Sequence, residues 1–437
     1  MKIHTENDKY TLYQGSMLDM LDNIKENSID SIVTDPPYEL NFMGKGWDNA
    51  GISFQKDTWE KCFTVLKPGG YLLAFGGSRT FHRIAVAIED AGFEIRDTIM
   101  WIYSSGFPKS MNIGLAIDKK NGVQGEKYID EDFLKRNPHK IMYKESINNG
   151  LKDGEEAAIR YKVTNEWKGW GTQLKPSFEP IIVARKPLEG TCVDNVIKYG
   201  VGGINIDECR VEAKDQEELQ KNWTNRKSDA GFGNNDGTIY GGGLLTKEDI
   251  EKYVPTGRFP ANTILTYDET DFEEVCSGFP NSGSGNGGTP YNYSGKEYNN
   301  KYTSMFNGDK PQAPSNYNDS GSAARYFYCA KASRKDRDEG INSSDIKEDK
   351  SRKNIHPCVK PTELMQYLIR LVTPNNGTIL DPFNGSGSTG KAAMYENKER
   401  NKNYKYIGIE LSEEYLDISK ARIDYILNNT QCSMFDK

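Results

Sequence analysis

Two blocks of strand–helix alternation, parted by a long stretch with no apolar period, constrain this chain more than any other feature. In the first block, residues 10–13 are β-prone, 17–24 carry helical spacing, and 29–33 alternate into a buried strand. That strand stops at Thr34-Asp35-Pro36-Pro37-Tyr38, where two prolines cannot donate to a ladder. Lys67-Pro68-Gly69-Gly70 reads as a turn launching an apolar strand over 71–75. A helix follows with apolar positions Phe81, Ile84, Ala85, Ile88 and Ala91, closed by Gly92 as a left-handed cap; 95–102 is the next strand. In the second block Pro361 opens a helix whose Leu364, Met365, Leu368, Ile369 and Val372 share one face. Residues 378–380 and 406–409 are short strands, and Tyr415, Ile418, Arg422, Ile423 and Ile426 mark a last helix. Such alternation requires a mostly parallel sheet covered by helices, and the two blocks are expected to build one sheet.

After Lys186-Pro187 the texture changes. Residues 190–350 are rich in Gly, Asn, Ser, Asp and Tyr, with tracts at 231–243 and 277–293 and short apolar pieces at 259–265 and 326–330. This reads as an inserted, loop-rich domain. The expected organisation is an α/β domain made of residues 1–189 and 351–437, interrupted by an insert over 190–350.

Composition excludes several classes. No apolar run approaches a membrane span, and residues 1–10 carry neither an apolar core nor a cleavage signal, so a cytoplasmic protein is expected. The seven cysteines include no Cys-x-x-Cys pair and the four histidines are scattered, so no metal site is expected. A net charge of −7 speaks against a nucleic-acid partner only on average, because phosphates respond to local cations. Residues 325–337 hold five Lys or Arg, and 347–353 hold four more, half offset by Glu348 and Asp349.

Two motifs carry chemistry. Gly385 to Lys391 fits G-x-x-x-x-G-K, the phosphate loop of nucleotide triphosphatases, but Ala392 stands where Ser or Thr must hold magnesium. The same loop satisfies G-x-G-x-x-G through Gly385, Gly387 and Gly390, and Glu410 follows about one βαβ unit later, where a ribose acceptor belongs. A nucleoside-bearing cofactor at the carboxyl end of the strand is the reading.

The second motif is Asp35-Pro36-Pro37-Tyr38. An aromatic exocyclic amine is a poor nucleophile because its lone pair is delocalised into the ring. The Asp35 carboxylate can accept one N–H and the Pro36 carbonyl the other, which pulls the nitrogen toward tetrahedral geometry. Pro37 helps to fix the backbone, and Tyr38 offers a ring to a flat base. A base inside a duplex must be flipped out to reach such a pocket.

On these residues the chain resembles the β-class amino-methyltransferases of DNA. In that class D-P-P-Y precedes the target-recognition domain and F-x-G-x-G follows it. The resemblance extends to Asp381-Pro382-Phe383, to His356-Pro357-x-x-Lys360-Pro361, and to Tyr406-Ile407-Gly408-Ile409-Glu410 with Tyr415. Lys67-Pro68-Gly69-Gly70, Trp170-Gly171 and Glu179-Pro180 are similar to stretches of phage and prophage enzymes. The resemblance implies a Rossmann-like methyltransferase fold with an inserted target-recognition region, S-adenosylmethionine as cofactor, no metal, and double-stranded DNA as substrate. Methyl transfer to N6 of a flipped adenine is implied by Asp at position 35. N4 of cytosine is the alternative, and a catalytically idle DNA-binding protein is an alternative of another class. Dimers and separately encoded restriction partners also occur in such systems.

The resemblance assigns Asp35, Pro36, Pro37 and Tyr38 to catalysis. It assigns Phe383, Gly385 and Gly387 to wrapping the cofactor, Asp381, Thr389 and Lys360 to its methionine part, and Glu410 to the ribose. Where the family usually has Asp near the cofactor adenine, this chain has Ser16, with Asp19 as a possible substitute, and His356-Pro357-Cys358 departs from the family's H-P-T.

Overall fold

The computed structural model describes residues 2–40, 50–103, 110–136, 159–212, 257–267, 281–282, 321–322, 328–329, 334–341 and 354–429. Contacts divide the chain into one unit of residues 1–103 and 178–437 and another of residues 104–177.

The first unit is built on a ten-stranded sheet. Its order is Lys2–Glu6, Tyr10–Gln14, Lys405–Glu410, Thr378–Asp381, Ile29–Thr34, Leu66–Phe75, Phe178–Arg185, Glu94–Tyr103, Thr263–Thr266, Tyr328–Cys329. The five strands from Tyr10–Gln14 to Leu66–Phe75 pair in parallel. Thr378–Asp381 and Lys405–Glu410 lie between Ile29–Thr34 and Tyr10–Gln14, so the two sequence blocks interleave in one sheet.

Burial explains the centre. Every residue of Ile29–Thr34 is buried, as a strand covered on both faces must be. Val33 and Leu73 point into one apolar cluster with Leu364, Leu368, Ala392, Leu416 and Ile423. Ile32 and Leu72 point into the other, with Trp59, Cys62, Ile84 and Ile88. The helices Thr362–Val372, Ser388–Arg400 and Glu413–Asn428 thus cover one face, and Lys56–Val65 and Phe81–Asp90 the other.

Two local features differ from the sequence reading. Lys67-Pro68-Gly69-Gly70 does not precede a strand but interrupts one: Ile29 pairs with Leu66 and Ser31 with Tyr71, so the extra residues form a bulge within the strand. Gly69 takes φ +76° there, and a Cβ on it would lie 2.1 Å from Asn195 Nδ2. The second is the strand Phe178–Arg185, which runs antiparallel to both neighbours in the middle of the sheet. Its apolar run, Ile181 to Ala184, lies against the texture change at Lys186-Pro187 and was not read as a strand.

The unit of residues 104–177 carries the helix Ile113–Lys120, capped by Asn112 Oδ1 at 3.0 Å from Leu115 N. It also holds the antiparallel pair Lys127–Ile129 and Ile159–Tyr161. Asp118 closes it, accepting from Thr164 N and Oγ1 and from Asn165 Nδ2. The described parts of 190–350 belong to the first unit, two of them as strands of its sheet. Most of the Gly- and Tyr-rich tracts, and all of 347–353, lie outside the described residues. No helix of the described residues is long and apolar enough to cross a membrane.

Candidate active site

Four neighbouring parallel strands end side by side, leading into Gly15-Ser16, ending in Glu410 and in Asp381, and leading into Asp35. In an open α/β sheet this carboxyl edge is where ligands bind.

Asp381 anchors the glycine loop. Its carboxylate accepts from Thr34 Oγ1 at 2.7 Å, Thr389 Oγ1 at 2.6 Å and the Phe383 N–H at 3.1 Å. Burial nevertheless pushes its pKa up to about 6, with the charge of Asp35 adding to that shift. Gly385 and Gly387 take φ +51° and +75°. A Cβ on Gly385 would lie 2.9 Å from His356 Nε2, and one on Gly387 would lie 2.2 Å from Ser419 Oγ. Arg422, fully buried, donates to the Ser386 carbonyl at 2.7 Å and fixes the loop from below. The His356 ring packs edge-on against Tyr415, and burial lowers its pKa to about 4, so the imidazole is neutral at pH 7.

Lys391, the lysine of the phosphate-loop pattern, does not face the loop's mouth. It is fully buried and ion-paired to Asp336 at 2.6 Å and Glu339 at 2.7 Å. It ties the segment Arg334–Asp338 to the helix Ser388–Arg400.

Glu410 accepts from the Gly385 N–H and the Ser412 N–H, each at 2.9 Å, and burial raises its pKa. These partners, and the Leu411 N–H that also reaches the carboxylate, are all backbone groups, so among the described residues no side chain competes for its oxygens. Gln14 is its register partner, and Gln14 Oε1 is buried with no hydrogen-bond partner among the described residues. Ser16 caps the helix Met17–Met20, its Oγ accepting from Leu18 N at 3.3 Å, while Asp19 is exposed in the first turn.

The Asp35-Pro36-Pro37-Tyr38 turn is pinned from both sides. Ser53 Oγ donates to the Pro37 carbonyl at 2.7 Å, and Thr80 Oγ1 donates to the Tyr38 carbonyl at 2.8 Å. Lys360 Nζ donates to Asp35 Oδ2 at 2.6 Å and stands 3.4 Å from Glu179 Oε2. It also lies over the rings of Phe75 and Tyr38, at 4.9 and 5.2 Å from their centroids. Tyr38 donates its hydroxyl to Glu179 Oε2 at 2.6 Å, and Tyr103 donates to Glu179 Oε1 at 3.1 Å. Asp35 Oδ1 is buried and has no hydrogen-bond partner among the described residues. Burial raises the Asp35 pKa, the Lys360 ammonium opposes that, and Glu179 adds to it.

The fold brings most of the expected site residues to this edge of the sheet, in two groups. Asp381, Phe383, Gly385, Gly387, Thr389 and Glu410 form the loop side; Asp35, Pro36, Pro37 and Tyr38 form the turn side. Lys360 sits on the turn side, against the carboxylate, and Ser16 is occupied as a helix cap. Three residues were not read as site residues: Glu179, Tyr103 and Gln14. Glu179 had a visible signal, a lone acidic residue opening the apolar run Pro180 to Ala184.

Parallel strands that end in a glycine loop, a shielded carboxylate and a proline-fixed acceptor turn define an α/β protein with its candidate site at the carboxyl edge of the sheet. The particular family follows from comparison: a family model described as DNA methylase, of N6/N4 type, matches residues 29–421, and the chain belongs to that family. It is 22% identical over 236 residues to the type II methyltransferase M.HindIII of Haemophilus influenzae, covering 44% of this chain and 64% of that one. It is 38% identical over 96 residues to M.HpaI of Haemophilus parainfluenzae, covering 21% and 31%. It is 24% identical over 234 residues to M2.LlaDCHI of Lactococcus lactis, covering 46% and 82%. The matches thus span less than two thirds of the first two relatives. Among solved structures, PvuII DNA methyltransferase (cytosine-N4-specific) aligns with a TM-score of 0.41 at 14% identity, covering 98% of this chain and 96% of that one.

Proposed function

We propose that this chain is an S-adenosylmethionine-dependent DNA methyltransferase that modifies N6 of an adenine flipped out of the duplex. The observation that carries the reading is Asp35 Oδ1, a buried carboxylate oxygen without a partner among the described residues, at the carboxyl end of a central strand. An acceptor left bare in a dry site costs stability unless a ligand donor meets it.

The residues present fit the cofactor. Among the described residues no side chain competes with the ribose hydroxyls for Glu410, Gly385 and Gly387 let backbone approach closely, and Asp381 with Thr389 offers polar contacts to the methionine part. S-adenosylmethionine, when bound, supplies an activated sulfonium methyl. Asp35 Oδ1 accepts one N–H of the target amine and the Pro36 carbonyl the other, localising the nitrogen lone pair. Asp35 then takes the proton that the nitrogen releases. Tyr38 supplies a ring for the base to pack on. Asp rather than Ser at position 35 favours adenine over cytosine, and residues 190–350 supply target recognition. The reading places the protein in the cytoplasm on double-stranded DNA.

Single-molecule sequencing of DNA from a methylation-free host expressing this chain, beside an Asp35→Ala control, tests it. Modified adenine at one short motif, lost in the control, is the expected result. Modified cytosine would keep the site and change the base. Unmodified DNA from a host making folded, cofactor-binding protein would overturn the reading.

A further inference from the structure

We infer that Glu179 is a positioning residue of this site, holding Tyr38 and Lys360 in place and giving the cluster of Asp35, Lys360 and Glu179 a net negative charge. The inference rests on the amino-methyltransferase reading above.

Glu179 opens the antiparallel strand Phe178–Arg185 and is only 20% exposed. It has three partners: Tyr38 Oη at 2.6 Å, Tyr103 Oη at 3.1 Å and Lys360 Nζ at 3.4 Å. Two phenols and an ammonium all donate to it, so its carboxylate serves wholly as an acceptor. Two of these partners have a second role at the site. Tyr38 belongs to the acceptor turn, and Lys360 holds Asp35 Oδ2, which leaves Oδ1 as the face turned to the amine.

The charge count gives the second part. Asp35 and Lys360 alone would form a neutral pair with little field to offer a nitrogen that becomes positive as it attacks. Glu179 makes the cluster two carboxylates against one ammonium. In a site with little water, that excess negative charge favours a transition state in which positive charge moves onto the amine. Asp381, across the strand ends, faces Asp35 and adds the same sign. Glu179 also keeps Lys360 from pairing with Asp35 alone.

The test uses Glu179→Gln and Glu179→Asp in the full chain. Asp35 is followed by carbon NMR of Cγ-labelled aspartate, its signal assigned by subtraction with Asp35→Asn. The groups facing Asp35 are Lys360, Glu179, Tyr38 and Asp381, and Glu179 raises its pKa. In Glu179→Gln the Asp35 titration therefore moves to lower pH, whereas in Glu179→Asp, which keeps the charge, it stays close to wild type. On DNA, kcat of Glu179→Gln falls about a hundredfold, its acid limb moves to lower pH, and KM for S-adenosylmethionine changes less than about twofold. An unmoved Asp35 titration in folded Glu179→Gln overturns the inference. That readout needs no turnover, so a wild type that modifies no DNA would sink the functional reading while Glu179 is still judged by titration. Should Glu179→Gln fail to fold, Glu179→Asp decides: lower kcat with an unmoved acid limb supports the inference, and wild-type kcat refutes it.

Discussion

Lys360 and Asp35 are 325 residues apart in the chain, yet Lys360 Nζ lies 2.6 Å from Asp35 Oδ2. The cation that the family resemblance assigned to the cofactor is therefore engaged by the carboxylate of the acceptor turn. Its electrostatic work is plain from the sign of each neighbour. Burial drives Asp35 toward its neutral acid, a weaker acceptor that can no longer take up a proton, and the ammonium opposes that drive.

The first prediction concerns Lys360→Met. With the ammonium gone, the Asp35 pKa rises further, so the acid limb of kcat moves to higher pH. At pH 7 turnover falls about a hundredfold and is partly regained on raising the pH. This is the opposite sign to Glu179→Gln. Calorimetry with S-adenosylmethionine separates the two roles for the lysine. Retained affinity supports the turn-side role; a large loss of affinity with an unmoved acid limb would return Lys360 to the cofactor.

Asp381 gives a pH dependence of a different kind. Burial holds its pKa at about 6, above the ordinary value of 3.8. If its carboxylate receives the cofactor's ammonium, affinity should fall by up to about tenfold per pH unit below that point and level off above it. Asp381→Asn should weaken binding and flatten this dependence. Stability runs the other way. A folded pKa raised above the unfolded one favours the fold at low pH, and that contribution is lost between about 4 and about 6 as pH rises. Parallel titration calorimetry and thermal melts across this window check both signs, and an affinity that is flat from pH 5 to 8 in wild type would exclude the ammonium contact.

How much of this was legible in the sequence depends on the range of each interaction. The loop and the turn are local: a strand, then residues that stop it, then glycines or prolines whose backbone habits do not depend on the rest of the fold. Asp381, Gly385, Gly387 and Asp35 could be picked out for that reason. The meeting of Glu179 with Tyr103 and Tyr38 was not legible, because it depends on the antiparallel strand Phe178–Arg185 lying beside Glu94–Tyr103 and Leu66–Phe75. Lys391 shows the converse: it fits the spacing of a phosphate loop, which Ala392 already spoke against, and Asp336 and Glu339, more than fifty residues away, bury it as a structural cation.

Gly387 tests the loop itself. It sits at φ +75° as the cap of the helix Ser388–Arg400, and a Cβ there would meet Ser419 Oγ at 2.2 Å and its Cα at 3.0 Å. The left-handed backbone alone costs an alanine about 1 kcal/mol. The Ser419 backbone, inside the helix Glu413–Asn428, has little room to retreat. Gly387→Ala should therefore lower the melting temperature and reduce S-adenosylmethionine affinity more than about tenfold. Wild-type affinity in that variant would show that the close backbone approach at this position is not needed for the cofactor.

A last prediction is purely structural. Arg370 and Glu396 join the helices Thr362–Val372 and Ser388–Arg400 through two bonds, Nη2 to Oε1 at 2.6 Å and Nε to Oε2 at 3.1 Å. Glu396 is fully buried and Arg370 is 8% exposed, so water cannot replace either partner. Arg370→Met leaves Glu396 with Gln366 at 3.3 Å and the outlying Arg400 at 3.7 Å, and should cost about 3–5 kcal/mol in urea unfolding. The double variant Arg370→Met with Glu396→Leu removes both charges and should recover most of that loss, since an apolar pair of similar volume needs no desolvation of ions. If the double variant were as unstable as the single, the geometry of the two bonds, rather than the stranded charge, would be what holds these helices together.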